Sequence, residues 1–194
     1  MTAIAVVTGS AARVEDVAQA MQRRGVTVVR IDRAEDPAPR ATALADASVD
    51  YLVQLPGDVP GPRATRVGAL STLFGQGLMR RFGEIEALLP KLAAHAAVVL
   101  VTGDTVDDQS GDDYPHAPTC LLEMLADAVV ADVSPAVVRA TVVSHCHSAD
   151  QIADAAFARG PQHDELVAGF ATRAPEMGYD DWRLAYLCTA GSEA

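Results

Sequence analysis

The chain has 194 residues, of which 49% are apolar and 21% are charged. This composition excludes a wholly disordered protein, because the apolar content is sufficient to bury a core. Acidic residues outnumber basic residues by 26 to 15, for a net charge of −11. Such a surface repels phosphate backbones and anionic lipids, so we expect neither nucleic acid nor a membrane as a partner.

The cysteines and the first residues favour a cytoplasmic protein. Cys120, Cys146 and Cys188 are odd in number and irregular in spacing, which does not form a disulfide framework and favours a reducing compartment. Residues 1–7 have no basic flank and only a short apolar run before Thr8, so no signal peptide is predicted. The chain has no apolar run long enough to span a bilayer.

The first predicted elements are a strand, a helix and a second strand. The continuous apolar run from Ile4 to Thr8 ends at Gly9, which is typical of a buried parallel strand. Apolar residues then recur at helical spacing between Val14 and Met21, and Gly25 ends this helix. Residues 26–31 are rich in β-branched side chains and predict the second strand. A strand–helix–strand unit of this length implies a parallel pair with a right-handed crossover.

The remaining chain continues to alternate between strand and helix patterns. Residues 33–48 show no strand pattern. The predicted elements after them are a strand at 51–55, a long helix at 67–92 with possible kinks at Gly75, Gly77 and Gly83, a strand at 97–102, a helix at 119–132, a strand at 137–143, and helices at 150–159, 164–172 and 180–189. This alternation predicts one Rossmann-like α/β domain over residues 1–194, with a parallel sheet between layers of helices.

Polar and glycine residues follow the predicted strands where such a sheet binds ligands. In an open parallel sheet, the ligand crevice lies beyond the carboxyl ends of the strands. The first strand ends at Thr8-Gly9-Ser10, the second at Asp32, the third at Gln54 to Gly57, the fourth at Thr102-Gly103-Asp104 and the fifth at residues 144–147. In this order, the elements and motifs resemble the short-chain dehydrogenase/reductase family, and the likeness extends over nearly the whole chain.

The resemblance implies a set of functional residues. Thr8-Gly9 is similar to the start of the family's TGxxxGxG loop, Asp32 to its ribose-binding acid, and Gln54-Leu55-Pro56-Gly57 to its NNAG motif. The implied cofactor is NAD or NADP, bound by Thr8, Gly9, Ser10, Arg13, Asp32 and Gly57. The implied catalytic residues are Tyr114 and Thr102, with Thr102 in the place of the family's serine. In this family, helices such as those near 70–92 and 121–130 pair into dimers, so a homodimer is expected.

Two departures affect the implied nucleotide site. The loop's later glycines fall on Arg13 and Glu15, whose side chains crowd a pyrophosphate, although Arg13 could itself contact a phosphate. The segment between Asp32 and Asp50 is too short for the family's extra helix–strand–helix. This deletion predicts five strands in the order 2-1-3-4-5 and removes part of the adenine pocket.

A third departure affects the catalytic set of Asn, Ser, Tyr and Lys. The family's lysine lowers the pKa of the tyrosine so that it can act as an acid/base. Here Pro118 stands where the YxxxK pattern of Tyr114 needs lysine. The only lysine, Lys91, lies near the end of the long predicted helix, and the chain contains no asparagine. His116 is the one nearby side chain that could polarise the tyrosine.

The segment His145-Cys146-His147 has two further interpretations. Two histidines at a strand end can share one face and bind a metal, with Asp104, Asp107, His116 or Cys120 as further ligands. Cys146 could instead be a nucleophile with a neighbouring histidine as its base. The alternative to both is a loop with incidental histidines. Similarly, the acidic residues at 104–113 could bind a cation, or they could form a solvated loop.

Three functional hypotheses follow from these observations. The first is a divergent, non-catalytic binding or scaffold protein with a weakened nucleotide crevice. The second is an atypical NAD(P)-dependent oxidoreductase that uses Tyr114 and Thr102. The third is a metal-binding protein or metal-assisted enzyme at His145 and His147. The first two hypotheses differ in whether the chain retains the groups that hold the cofactor and transfer the proton.

Overall fold

A computed structural model describes residues 2–32, 37–56, 68, 73–103, 116–133 and 139–158. The chain divides into a unit of residues 1–158 and a unit of residues 159–194. All described residues belong to the first unit, so the helices predicted at 164–172 and 180–189 lie outside them. The expectation of one domain over residues 1–194 stays a prediction.

The described elements alternate between strands and helices, as the sequence predicts. Their bounds are β1 (Ile4–Gly9), α1 (Ala11–Arg23), β2 (Thr27–Asp32), α2 (Pro37–Thr42), β3 (Val49–Gln54), a π-helical segment (Leu73–Met79), α3 (Arg80–Leu88), a 3-10 turn (Leu89–Lys91), β4 (Leu92–Val101), α4 (His116–Val133), β5 (Arg139–Val143) and α5 (Ala149–Phe157).

The five strands form one parallel sheet in the order β2-β1-β3-β4-β5. This Rossmann-like α/β architecture and its strand order confirm the prediction. The strands are apolar on both faces because helices cover both faces of the sheet. Ala5, Val6 and Val7 are accordingly all inaccessible to solvent, although their side chains alternate between the two faces.

The core is divided by the sheet into two clusters. On one face, Val7, Val53 and Val99 pack with apolar residues of α1 and α5, including Met21 and Ile152. On the other face, the neighbouring strand residues pack with apolar residues of α2, α3 and α4; this cluster includes Val6, Leu52, Val98, Ile85, Leu88 and Val129. Helices thus cover both faces of the sheet, and the loops lie at the ends of the strands.

The long helix predicted over residues 67–92 is wrong at its carboxyl end. α3 ends at Leu88, a 3-10 turn containing Pro90 follows, and Leu92 is the first residue of β4. Pro90 cannot donate the hydrogen bond that would continue the helix. Leu92 then pairs with Val49, and the register shifts before Tyr51 pairs with Ala97, so β4 begins earlier than its β-branched residues indicate.

Candidate functional site

The carboxyl ends of the parallel strands lie along one edge of the sheet, where most of the predicted site residues are found. Gly9 pairs with Asp32, and Thr8 pairs with Gln54. Thr102 follows β4, and its backbone N–H donates to the carbonyl of Val143 at 2.9 Å. Tyr114, Gly57 and the side chain of Asp32 lie outside the described part of the structure.

Below this edge, four polar side chains form a buried hydrogen-bonded network. Thr8, Gln54, Arg81 and Glu84 are each at most 5% exposed. The Thr8 hydroxyl donates to Glu84 Oε2 at 3.2 Å, and Gln54 Nε2 donates to the same oxygen at 3.0 Å. Arg81 Nε in turn donates to Gln54 Oε1 at 3.0 Å. Because Thr8 points into this network, its hydroxyl faces the core and not the open edge.

The turn after β1 requires a glycine because of packing against β3. Gly9 has φ +145°, and a Cβ placed there would lie 2.5 Å from the Cβ of Leu55. The backbone continues into α1 through Ser10, whose hydroxyl makes no capping hydrogen bond to that helix. The Gly9 position is therefore explained by its contact with Leu55, the residue directly after β3.

Arg13, in the first turn of α1, is bound to the loop that follows β5. Its guanidinium donates to the backbone carbonyl of His145 and, at 3.2 Å, to the carbonyl of His147. These contacts join residues more than 130 positions apart in the chain. The sequence suggested Arg13 as a phosphate contact. In the structure, its side chain connects the start of α1 to the loop after β5 at the edge of the sheet.

The same loop places the predicted residue Thr102 beside a histidine and a cysteine. The backbone N–H of His145 donates to Thr102 Oγ1 at 2.9 Å, and His145 Nδ1 lies 3.4 Å from that oxygen. The other ring nitrogen, His145 Nε2, lies 3.3 Å from the exposed Sγ of Cys146. Thr102, His145 and Cys146 are therefore connected in one line.

The metal hypothesis finds no cluster in the described ranges of the chain. Within them, no three side chains among His, Cys, Asp and Glu are placed to hold a metal ion. Cys120 is an exposed residue of α4. Asp104, Asp107 and the side chain of His116, which were possible further ligands, lie outside the described residues, so the hypothesis stays untested there.

Comparison with known proteins identifies the fold. No protein-family model and no curated protein matches the sequence. A solved small-chain dehydrogenase is 16% identical, with a TM-score of 0.59, over 80% of this chain and 87% of that chain. A short chain dehydrogenase family protein from Francisella tularensis subsp. tularensis SCHU S4 is 13% identical, with a TM-score of 0.54, over 74% of this chain and 69% of that chain. The fold is short-chain-dehydrogenase-like.

Arg13 and Glu15, which stand where the TGxxxGxG pattern has its later glycines, have different partners in the structure. Arg13 binds the loop after β5, whereas Glu15 forms an exposed ion pair with Arg30 of β2 at 3.1 Å. A pyrophosphate in this turn needs close approach to the backbone and no competing side chain. The described side chains therefore fit the pyrophosphate of a dinucleotide poorly.

Lys91, the only lysine of the chain, lies at the opposite end of β4 from Thr102. It precedes Leu92, the first residue of β4, whereas Thr102 follows the last residue. Its Nζ is 2.6 Å from Asp46 Oδ1, which holds the ammonium group at the amino edge of the sheet. Lys91 thus cannot assist a proton donor near Thr102.

Sequence analysis did not single out Arg81 and Glu84 among the residues of the long predicted helix. Both share the buried face of α3 with Ile85 and Leu88. Each lies four residues before one of these apolar positions, and this helical spacing was the available signal. It was ambiguous because most charged residues on an amphipathic helix are exposed.

Proposed function

We propose that this chain is a non-catalytic binding protein with a weakened nucleotide crevice, built on a short-chain-dehydrogenase-like fold. The observation that carries the proposal is the position of Arg13. Arg13 stands in the first turn of α1, where a pyrophosphate would approach, and its guanidinium is bound to the carbonyls of His145 and His147. A nucleotide must displace these hydrogen bonds or bind beside them.

Two neighbouring residues support the same proposal. The Thr8 hydroxyl is buried and donates to Glu84, so it is not presented to a ligand. Gly9 packs against Leu55, which leaves no space on that side of the turn. We expect the hydroxyl of Ser10, which does not cap α1, to be a polar contact for a small ligand in this turn.

The residues that the family's proton transfer requires also support this proposal. The chain contains no asparagine, and its only lysine is bound to Asp46 at the far end of β4. In a family of this type, a tyrosine without its lysine lacks the positive charge that lowers its pKa toward working pH. We therefore expect no turnover of carbonyl or alcohol substrates by the family's mechanism.

Titration calorimetry with NADH and NADPH tests the proposal. The wild-type protein is expected to bind each with a dissociation constant well above about 1 μM, the range in which an intact site would hold a cofactor. Arg13→Gly is expected to tighten binding, because it removes the side chain from the turn. Arg30→Ala is the matched control, since it also removes one positive charge, from a side chain that is paired with Glu15 and not with the loop after β5 in the described residues. Wild-type binding at micromolar concentration or below contradicts the proposal.

The alternative is an atypical NAD(P)-dependent oxidoreductase that uses Tyr114 and Thr102. The observation that favours it is the position of Thr102 at the carboxyl end of β4, beside the His145 ring. This alternative requires that a substrate panel produce cofactor oxidation and that Tyr114→Phe abolish it. Absence of turnover across the panel leaves the binding protein as the supported function.

As part of the same proposal, we expect a homodimer in the cytoplasm. The large exposed apolar side chains in the described residues are Phe74, Met79 and Met124, which belong to the π-helical segment and α4.

Cys120 and Cys146 are free thiols, which suits a reducing compartment. No helix in the described part of the chain combines the length and apolar character that crossing a bilayer requires.

Sedimentation analysis of the wild-type protein and Met124→Lys tests the dimer, which the variant is expected to weaken.

A further inference from the structure

The loop between β5 and α5 holds a thiol against an imidazole. Cys146 Sγ lies 3.3 Å from His145 Nε2, and the thiol is exposed. Adjacent residues in a chain usually point apart, so this contact depends on the conformation of the loop. An imidazole nitrogen at this distance can take the proton of the thiol and leave the nucleophilic thiolate.

Thr102 orients the imidazole from its other side. His145 Nδ1 lies 3.4 Å from Thr102 Oγ1, and the same oxygen accepts the backbone N–H of His145 at 2.9 Å. A hydroxyl oxygen has two lone pairs, so it can also accept the Nδ1 proton. In that tautomer, the lone pair of Nε2 faces the thiol of Cys146.

Two further contacts hold the loop in this conformation. Arg13 donates to the carbonyls of His145 and His147, on either side of Cys146. At the end of the loop, Ser148 and Gln151 form a reciprocal capping box at the start of α5, with hydrogen bonds of 2.8 and 3.2 Å.

We propose that Cys146 is a nucleophilic thiol that is oxidised by small hydroperoxides, with His145 as its base and Thr102 as a positioning residue. His145 Nε2 takes the thiol proton, and the thiolate attacks the terminal oxygen of the hydroperoxide. The S–O bond forms as the O–O bond breaks, and the departing alkoxide or hydroxide takes the proton from the imidazolium. Cys146 is thereby oxidised to a sulfenic acid, and the hydroperoxide is reduced to an alcohol or water. This chemistry does not depend on nucleotide binding.

The three cysteines can be followed separately in the full chain. Trypsin cleaves after Lys91, Arg139, Arg159 and Arg183, which places Cys120, Cys146 and Cys188 in different peptides. The protein is treated with a low concentration of hydrogen peroxide in the presence of dimedone, which traps sulfenic acids. The labelled peptides are then quantified by mass spectrometry over time. Cys120, an exposed thiol of α4, is the reference in the same molecule.

Cys146 is expected to be labelled about tenfold faster than Cys120 at pH 7, as an imidazole-assisted thiol is relative to an ordinary exposed thiol. His145→Gln is expected to remove this difference. Thr102→Val is expected to reduce it, and Thr102→Ser, which retains the hydroxyl, is expected to restore it. Equal rates for Cys146 and Cys120 in the wild-type protein overturn the proposal, and so does a Cys146 rate that His145→Gln leaves unchanged. The wild-type comparison decides the question even if a variant does not fold.

Discussion

Gln54 and Arg81 hold each other through three hydrogen bonds in the interior of the protein. Arg81 Nε donates to the side-chain oxygen of Gln54 at 3.0 Å, and the guanidinium also donates to the Gln54 backbone carbonyl at 3.2 Å. Gln54 Nε2 donates in turn to the backbone carbonyl of Arg81 at 3.0 Å. The end of β3 is thereby joined to the first turn of α3 beneath the candidate site.

Gln54→Ala is expected to lower the free energy of unfolding by about 3 kcal/mol, because it leaves buried polar groups of Arg81 and Glu84 without their Gln54 partners. Urea unfolding followed by circular dichroism measures the change. Gln19→Ala is the matched control, since Gln19 bonds to Glu15 on the exposed surface of α1, and its loss is expected to stay within about 0.5 kcal/mol. Equal effects of the two substitutions contradict the structural role given to the buried network.

Gly9→Ala is expected to destabilise the protein by about 2–4 kcal/mol. The added methyl group would overlap the Cβ of Leu55, and the backbone has a positive φ that side chains disfavour. Gly83→Ala is the comparison, because nothing lies within 4 Å of a Cβ at that helical position. That change is expected to stabilise by about 0.5–1 kcal/mol, through the lower conformational entropy of the unfolded chain. Thermal unfolding of both variants measures the two signs.

Arg13→Ala is expected to loosen the loop between β5 and α5. The variant loses two hydrogen bonds from a charged donor, which are worth about 1–3 kcal/mol together when partly exposed. Amide hydrogen exchange at His145, whose N–H is bonded to Thr102, is expected to become faster. Exchange in β1, which is buried in the sheet, should remain as in the wild-type protein. Unchanged exchange at His145 would show that Arg13 does not hold this loop.

The contact between α1 and α5 is expected to weaken at low pH. Hydrogen bonds from Arg23 and then Arg24 lower the pKa of the Asp150 carboxyl below its ordinary value of 3.8. Because the folded-state pKa is the lower one, the stability that Asp150 contributes is fully present above pH 3.8 and is lost as the pH falls through the folded-state pKa. Asp150→Asn should therefore reduce stability at neutral pH and make no difference under strongly acidic conditions.

Urea unfolding of the wild-type protein and Asp150→Asn across this pH range measures the effect of Asp150. The control is Asp16→Asn, which neutralises an exposed carboxylate of α1. Added salt is expected to reduce the contribution of Asp150, because the ion pairs are on the surface and are screened. A stability difference for Asp150→Asn that persists below the folded-state pKa contradicts the assignment to its ionised form.

The positions of the strands followed from local patterns in the sequence. β1 and β2 are apolar or β-branched runs that end near glycine or aspartate, and such runs specify buried parallel strands without reference to distant residues. The start of β4 did not follow from these patterns. Residues 92–96 contain alanine and an exposed histidine with φ +69°, and they join the sheet because Leu92 pairs with Val49.

The sequence predicted at which ends of the strands the candidate site residues lie, but not which side chains contact one another there. Thr8, Gly9 and Thr102 were located correctly at the ends of strands, because the topology of a parallel sheet brings those ends to one edge. The roles of their side chains depended on other elements. The Thr8 hydroxyl is bound by Glu84, and the Thr102 hydroxyl by His145.

Composition and periodicity were enough to specify an acidic, α/β protein with five parallel strands, because each element carries its own apolar pattern and its own stop signals. Only the tertiary structure shows that Arg13 donates to the carbonyl of His145 and that the His145 ring lies beside the thiol of Cys146. Such contacts depend on the loop conformation and on residues far apart in the chain, and neither is encoded in a local repeat of residue types.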